Sequence, residues 1–121
     1  MLLILIIVLA MDAVWLTATA PTSRALIAGI QGSPLAIRWG PAAMVYIIIV
    51  AAVWFFAVRP ASGWMEAAAL GGALGFAMYG LYDLTNYSTL KGYTAQFAVT
   101  DIVWGTVLCG VAAAATYAIS Q

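Results

Sequence analysis

Three aspartates fall within or at the edge of long apolar runs: Asp12, Asp83 and Asp101. An acid at the middle of a membrane costs about 2.5 to 3.5 kcal/mol on insertion scales. Acids that persist there face a bundle interior, find partners and mark a site. Two of the three share a local pattern. Asp12-Ala-Val-Trp15-Leu-Thr17 matches Asp101-Ile-Val-Trp104-Gly-Thr106 at four of six positions. In each copy the Trp lies at i+3 from the Asp, on the same helical face. The third acid opens a polar run, Asp83-Leu-Thr85-Asn86, which follows Tyr79 and Tyr82 and precedes Lys91. The candidate ligand- or ion-binding set is therefore Asp12, Asp83, Asp101, Asn86, Tyr79, Tyr82, Lys91, Trp15 and Trp104.

Paired carboxyls can do acid–base work when one is protonated and the other ionised. Other chemistries lack their parts. The chain has no histidine and one cysteine, Cys109. A Ser-His-Asp set is thereby excluded, and so is a His/Cys cluster for zinc or copper. Any metal would have to rest on carboxylates and carbonyls, and no metal is assigned. No Gly-rich loop opens a phosphate-binding helix. The cofactor is left unknown, and whether the protein is an enzyme is left open.

Each acid also has a purely structural reading. Asp101, or Thr100 before it, would cap the start of a helix. Asp83 to Asn86 would satisfy free backbone groups at a helix end. Asp12 would make an interhelical hydrogen bond, as a neutral acid if burial favours that form.

The elements that position these residues follow from composition. The chain has 121 residues, of which 66% are hydrophobic and 7% charged. A soluble domain is about half apolar and about a quarter charged. Mean hydropathy is +1.08, so lipid is the expected solvent for most of the chain. Four basic and four acidic residues cancel, leaving no basic patch for nucleic acid. The expected fold is all-α: a single polytopic membrane domain over residues 1–121, with four transmembrane helices in a compact bundle. Their expected spans are about 1–20, 39–58, 64–83 and 97–119, with polar connectors at about 21–38 and 84–96.

Ala18-Thr19-Ala20 resembles a cleavage box. No basic stretch precedes the first apolar run and Pro21 follows it, so a retained helix ending near Pro21 is expected. Pro41 fits a first helical turn, and Arg59-Pro60 stops the second helix. Glu66 complements the dipole of the third. Within that third helix Gly71, Gly75, Tyr79 and Asp83 share one i, i+4 ridge. Small residues at this spacing let membrane helices approach closely, so a tight contact should lead to a buried acid. Both connectors lie on one side and hold Arg24, Arg38 and Lys91, against Arg59 on the other. The positive-inside rule then puts the connectors in the cytoplasm. The first and fourth helices run in opposite directions, so the two Asp-Trp-Thr copies would be related as an inverted repeat.

Met11-Asp12-Ala-Val-Trp15-Leu-Thr17, Val58-Arg59-Pro60-Ala61, the run from Gly75 to Tyr93, and Asp101-Ile-Val-Trp104-Gly105-Thr106 together resemble a known family. It is domain-of-unknown-function family 2177, predicted membrane proteins of bacteria and large DNA viruses. The most specific part is Tyr82-Asp83-Leu-Thr85-Asn86 with Thr89-Leu-Lys91 soon after. Members usually carry an aromatic residue, often Trp, where Tyr93 stands. The resemblance covers nearly the whole chain and implies four membrane helices. It also implies that Asp12, Asp83, Asn86, Lys91 and Asp101 belong to the family pattern, and it implies no activity.

The functional expectation is a small integral membrane protein of the inner cell membrane, multi-pass. It would bind a small ligand, a lipid headgroup or a cation or proton at an intramembrane aspartate cluster. Two other roles stand beside it: an accessory or structural subunit of a larger membrane complex, and a membrane-embedded lipid-modifying enzyme. Membrane lipid is the expected partner, with a homo-oligomer or a larger membrane complex as further possibilities and no nucleic acid.

Overall fold

In the computed structural model, residues 1–31 and 39–120 are described. They form four α-helices: α1 (Leu2–Gln31), α2 (Trp39–Val53), α3 (Trp64–Thr89) and α4 (Ala95–Ser120). A π-helical turn, Trp54–Val58, extends α2. Among the described residues there is no strand. Leu2–Gln31, Trp39–Val58 and Ala95–Ser120 are each long and apolar enough to cross a membrane. The 26 residues of α3 match α4 in length. Glycines, Glu66, Asp83 and several tyrosines dilute its apolar character, and α3 falls outside that set.

The bundle is apolar on the outside. Val14, Leu16, Ile47, Ile48, Phe56, Val103 and Val107 are all exposed. In water such a surface would drive aggregation; in hydrocarbon it is the required outer face. The buried apolar core includes Ile4, Val8, Val53, Ala57, Leu108 and Ala112. These come from the start of α1, the end of α2 and the second half of α4. The fully buried acid, Asp83, lies toward the opposite end, while the hydroxyl-bearing Thr116 is buried at the core end.

Two boundaries differ from expectation. The first helix does not end at Pro21. It runs through that residue to Gln31, so the stretch expected as a connector is helical from 22 to 31. Pro21 removes one backbone hydrogen bond. In lipid every other backbone group must be satisfied within the segment, so one missing bond costs less than unwinding. Thirty residues rise about 45 Å at about 1.5 Å each, more than the about 30 Å of hydrocarbon. The last turns of α1 therefore extend past the span. The rest of that connector, Gly32, Pro34 and Arg38 included, lies outside the described residues. The third helix also runs past Asp83, to Thr89. Hydroxyls of Ser88 and Thr89 donate to the Thr85 carbonyl at 2.9 and 2.8 Å, covering part of its last turn.

The α2–α3 turn matches expectation more closely. Glu66 lies in the first turn of α3 and accepts a 2.9 Å hydrogen bond from Ser62 Oγ. The two helices are neighbours near this turn, where α3 packs on the π turn, and they splay apart toward the other end.

The dominant packing is α3 against α4. Gly71, Gly75, Tyr79 and Asp83 form one ridge, and Asp101, Gly105, Cys109 and Ala113 form the facing one. The helices run antiparallel, so the ridges mesh in reverse order. A Cβ placed on Gly71 would lie 2.5 Å from the Cys109 carbonyl oxygen and 2.7 Å from Ala113 Cβ. One placed on Gly75 would collide with the Gly105 carbonyl and lie 2.9 Å from Cys109 Cβ. The ring of Tyr79 occupies the space above Gly105.

An added methyl at this seam must push two backbones apart. Gly75→Ala should lower stability by about 1 to 3 kcal/mol, the usual range for overpacking, although alanine is the better helix former. Gly29→Ala meets nothing within 4 Å and should be neutral or stabilising. Unfolding by a denaturing detergent, followed by circular dichroism, compares the two; equal stabilities would rule out the tight seam.

Candidate functional site

The seam leads to the acids. Asp12 is buried on α1 and holds two partners from two other helices. Tyr46 of α2 donates its hydroxyl to Oδ2 at 2.8 Å. Trp104 of α4 donates Nε1–H to Oδ1 at 3.0 Å. Asp12 thus ties α1, α2 and α4 together. Trp15, one turn on, stacks on Trp104 with ring centroids 4.7 Å apart and planes 4° from parallel.

Asp83 is fully buried on α3. Its Oδ1 accepts a 2.6 Å hydrogen bond from the Tyr93 hydroxyl. That contact depends on the α3–α4 turn. Gly92 takes φ +89°, the left-handed region that favours glycine. The chain reverses there, Tyr93 N–H donates to the Leu90 carbonyl at 3.2 Å, and the phenol reaches back toward α3. Phe97 meets its ring edge-on at 5.4 Å, and Asn86 lies beside its hydroxyl. Burial, and then the hydrogen bond to Asp83, raise the Tyr93 phenol above its ordinary range, so it stays a donor. The other oxygen, Asp83 Oδ2, is buried and receives no hydrogen bond among the described residues.

Asp101 sits on α4 within hydrogen-bonding reach of the Asp83 carboxyl and within electrostatic reach of Asp12. It is not a cap. The helix starts at Ala95, and Thr94 Oγ1 accepts the Phe97 N–H at 3.1 Å in the capping position. Asp101 is well inside the helix, as is Asp83 in its own. Both end-of-helix readings therefore fail. For Asp12 the expected interhelical bond is present, to two helices. Tyr79 lies among Asp12, Tyr46, Asp101 and Cys109.

Five of the expected residues thus gather around the centre: Asp12, Trp15, Tyr79, Asp101 and Trp104. Asp83 and Asn86 join through the Asp83–Asp101 contact and Tyr93. Two do not join. Tyr82 is exposed on the outer face of α3, because it is one residue off the buried ridge. Lys91 is exposed in the connector. Among the described residues no three acidic or sulfur side chains converge as metal ligands. Tyr46 and Tyr93 were missing from the expected set. Tyr46 is the lone phenol in an otherwise apolar α2, and a hydroxyl in such a helix needs a partner.

The repeated hexad is partly symmetric in space. Its two copies lie on antiparallel helices. Thr17 and Thr106 donate to Ala13 and Ile102 carbonyls at 2.7 and 2.9 Å, and the two Trp residues face each other. The bond from Trp104 to Asp12 has no counterpart from Trp15 to Asp101 among the described residues. Asp101 turns to Asp83 instead.

Two cavities reach the cluster. A groove of about 620 Å³ between α1 and α4 is lined by Trp15, Thr19, Thr22, Phe97, Thr100 and Asp101, among others. A cleft of about 520 Å³ opens where α2 splays from α3, between Ile48, Ile49, Met78 and Tyr79. Asp101 lines both.

Apolar helices with an outward apolar face and polar groups turned inward define an integral membrane protein of the helical class. Within that class, a family model described as predicted membrane protein (DUF2177) matches residues 1–118, and the chain belongs to that family. No curated protein and no solved structure matches it.

The Asp12 cluster can be tested by a double-mutant cycle. Asp12→Asn and Tyr46→Phe should couple by about 0.6 kcal/mol and by no more than about 1.7, the range for hydrogen bonds between membrane helices. The Trp15–Trp104 stack should give an exciton couplet in circular dichroism that either Trp15→Phe or Trp104→Phe abolishes.

Proposed function

We propose that this protein is a multi-pass protein of the inner cell membrane that binds an ammonium group in the α1–α4 groove, with Asp101 as counter-ion. In this reading α3 crosses the membrane as a pair with α4, its acid covered by that partner.

The observation that carries the proposal is the groove's one-sided chemistry. Among the described residues that line it, the only charged group is an acid, Asp101. Its Thr19 and Thr100 hydroxyls already donate to the Trp15 and Gln96 carbonyls, each at 2.8 Å. They therefore offer acceptor lone pairs to anything that enters. Trp15 and Phe97 add aromatic walls. Acid, acceptors and aromatic rings together suit a cation with N–H donors. The volume is in the usual range of a small-molecule pocket, about 300 to 1,000 Å³. An accessory-subunit role draws less support, because the Gly71–Gly75 ridge that suggested a docking surface is already used against α4.

The ammonium can come from a lipid headgroup or from a free amine. Reconstitution into nanodiscs of phosphatidylethanolamine or phosphatidylglycerol, with ethylamine added to the second, separates the sources. Native mass spectrometry and calorimetry should show retained phosphatidylethanolamine or bound ethylamine. Asp101→Asn should weaken either at least about tenfold, a loss of only about 1.4 kcal/mol. Binding of neither, or binding unaffected by Asp101→Asn in a folded variant, would discard the proposal.

A further inference from the structure

We infer that Asp83 and Asp101 together form a one-proton site, a carboxyl pair that holds a single shared proton when the groove is empty. The inference stands on the pair itself and not on the ammonium reading.

The geometry has three parts. Asp83 is fully buried, and its carboxyl has two oxygens in different situations. Oδ1 takes the Tyr93 hydroxyl at 2.6 Å. Oδ2 takes nothing among the described residues. A buried acceptor without a donor bears the full cost of its desolvation, and a charged one bears more. The Asp101 carboxyl lies within hydrogen-bonding reach of the Asp83 carboxyl, and it is a donor only when it carries a proton. One proton on Asp101 therefore supplies the donor that Asp83 lacks. Two ionised carboxylates at this separation would repel, and no described residue sets a cation beside them. The charged neighbours acting on Asp101 are Asp83 on α3 and Asp12 on α1, both acids. The other titratable groups nearby are phenols and a thiol: Tyr79 on α3, Tyr46 on α2, Tyr93 in the turn and Cys109 on α4. None is a cation. This is the arrangement by which close carboxyl pairs share a proton.

Asp101 is the exchangeable member. Asp83 is sealed, while Asp101 lines the groove. A proton leaving the pair passes from Asp101 into the groove, and both carboxylates are then ionised. A cation beside Asp101 would favour that state.

Infrared spectroscopy of the reconstituted full chain at neutral pH tests the pair. The expected result is a protonated-carboxyl C=O band that shifts in D₂O. Asp101→Asn should remove the band while keeping an N–H donor for Asp83 Oδ2, so the fold is retained. Asp101→Glu should restore a band, and Tyr93→Phe should shift it by removing the donor to Oδ1. Asp12→Asn should leave it in place. Absence of the band in the wild-type protein would overturn the inference. So would its persistence in folded Asp101→Asn, or its loss on Asp12→Asn alone. Ammonium binding is read separately by calorimetry, so the two proposals can fail independently.

Discussion

The close approach of α3 and α4 is the constraint on which the rest depends. In lipid the apolar outer surface gains nothing by associating, so helices are held by packing and by interhelical hydrogen bonds. Gly71 and Gly75 let the backbone of α3 settle against Cys109 and Gly105. That spacing leaves Tyr79 above Gly105 and puts Asp83 beside Asp101. A wider seam would leave the two carboxyls as separate polar groups. The helix that is less apolar than its neighbours is thus the one that builds the site, because its Tyr79 and Asp83 point at α4.

The same packing divides the molecule. At one end Ile4, Val8, Val53, Ala57 and Leu108 make a dry core. At the other, carboxyls, phenols and indoles hold one another. Asp12 lies between, linked by Tyr46 and Trp104 to two helices. α1 otherwise packs less extensively than α3 does on α4, so these bonds fix its position. The groove beside it is a consequence of that looser packing.

Much of this could be read in the sequence. The ridge Gly71, Gly75, Tyr79, Asp83 follows from spacing alone, and so does the placing of Asp12 and Trp15 on one face of α1; that the indole bonded to Asp12 comes from Trp104 does not. The all-helical class follows from composition. What could not be read depends on other chain segments. Pro21 looks like a stop because local rules treat it as one, whereas a helix in hydrocarbon continues through it. Asp101 reads as a cap because the polar run before it conceals the true start at Thr94 and Ala95. Tyr93 becomes visible as a partner of Asp83 only when Gly92 has turned the chain. Tyr82 has the same composition cue as Tyr79 but faces outward, a difference of about 100° on a helix.

The bond between Asp12 and Trp104 spans 92 positions of the chain, and this has a meaning in time. A ribosome adds about 5 to 20 residues per second. Asp12 therefore exists for several seconds before its indole partner has been made. Tyr46, only 34 positions on, is the first partner available. During synthesis the phenol of α2 would hold the acid of α1 until α4 arrives with Trp104, so the order of translation is also the order in which this carboxyl acquires its partners.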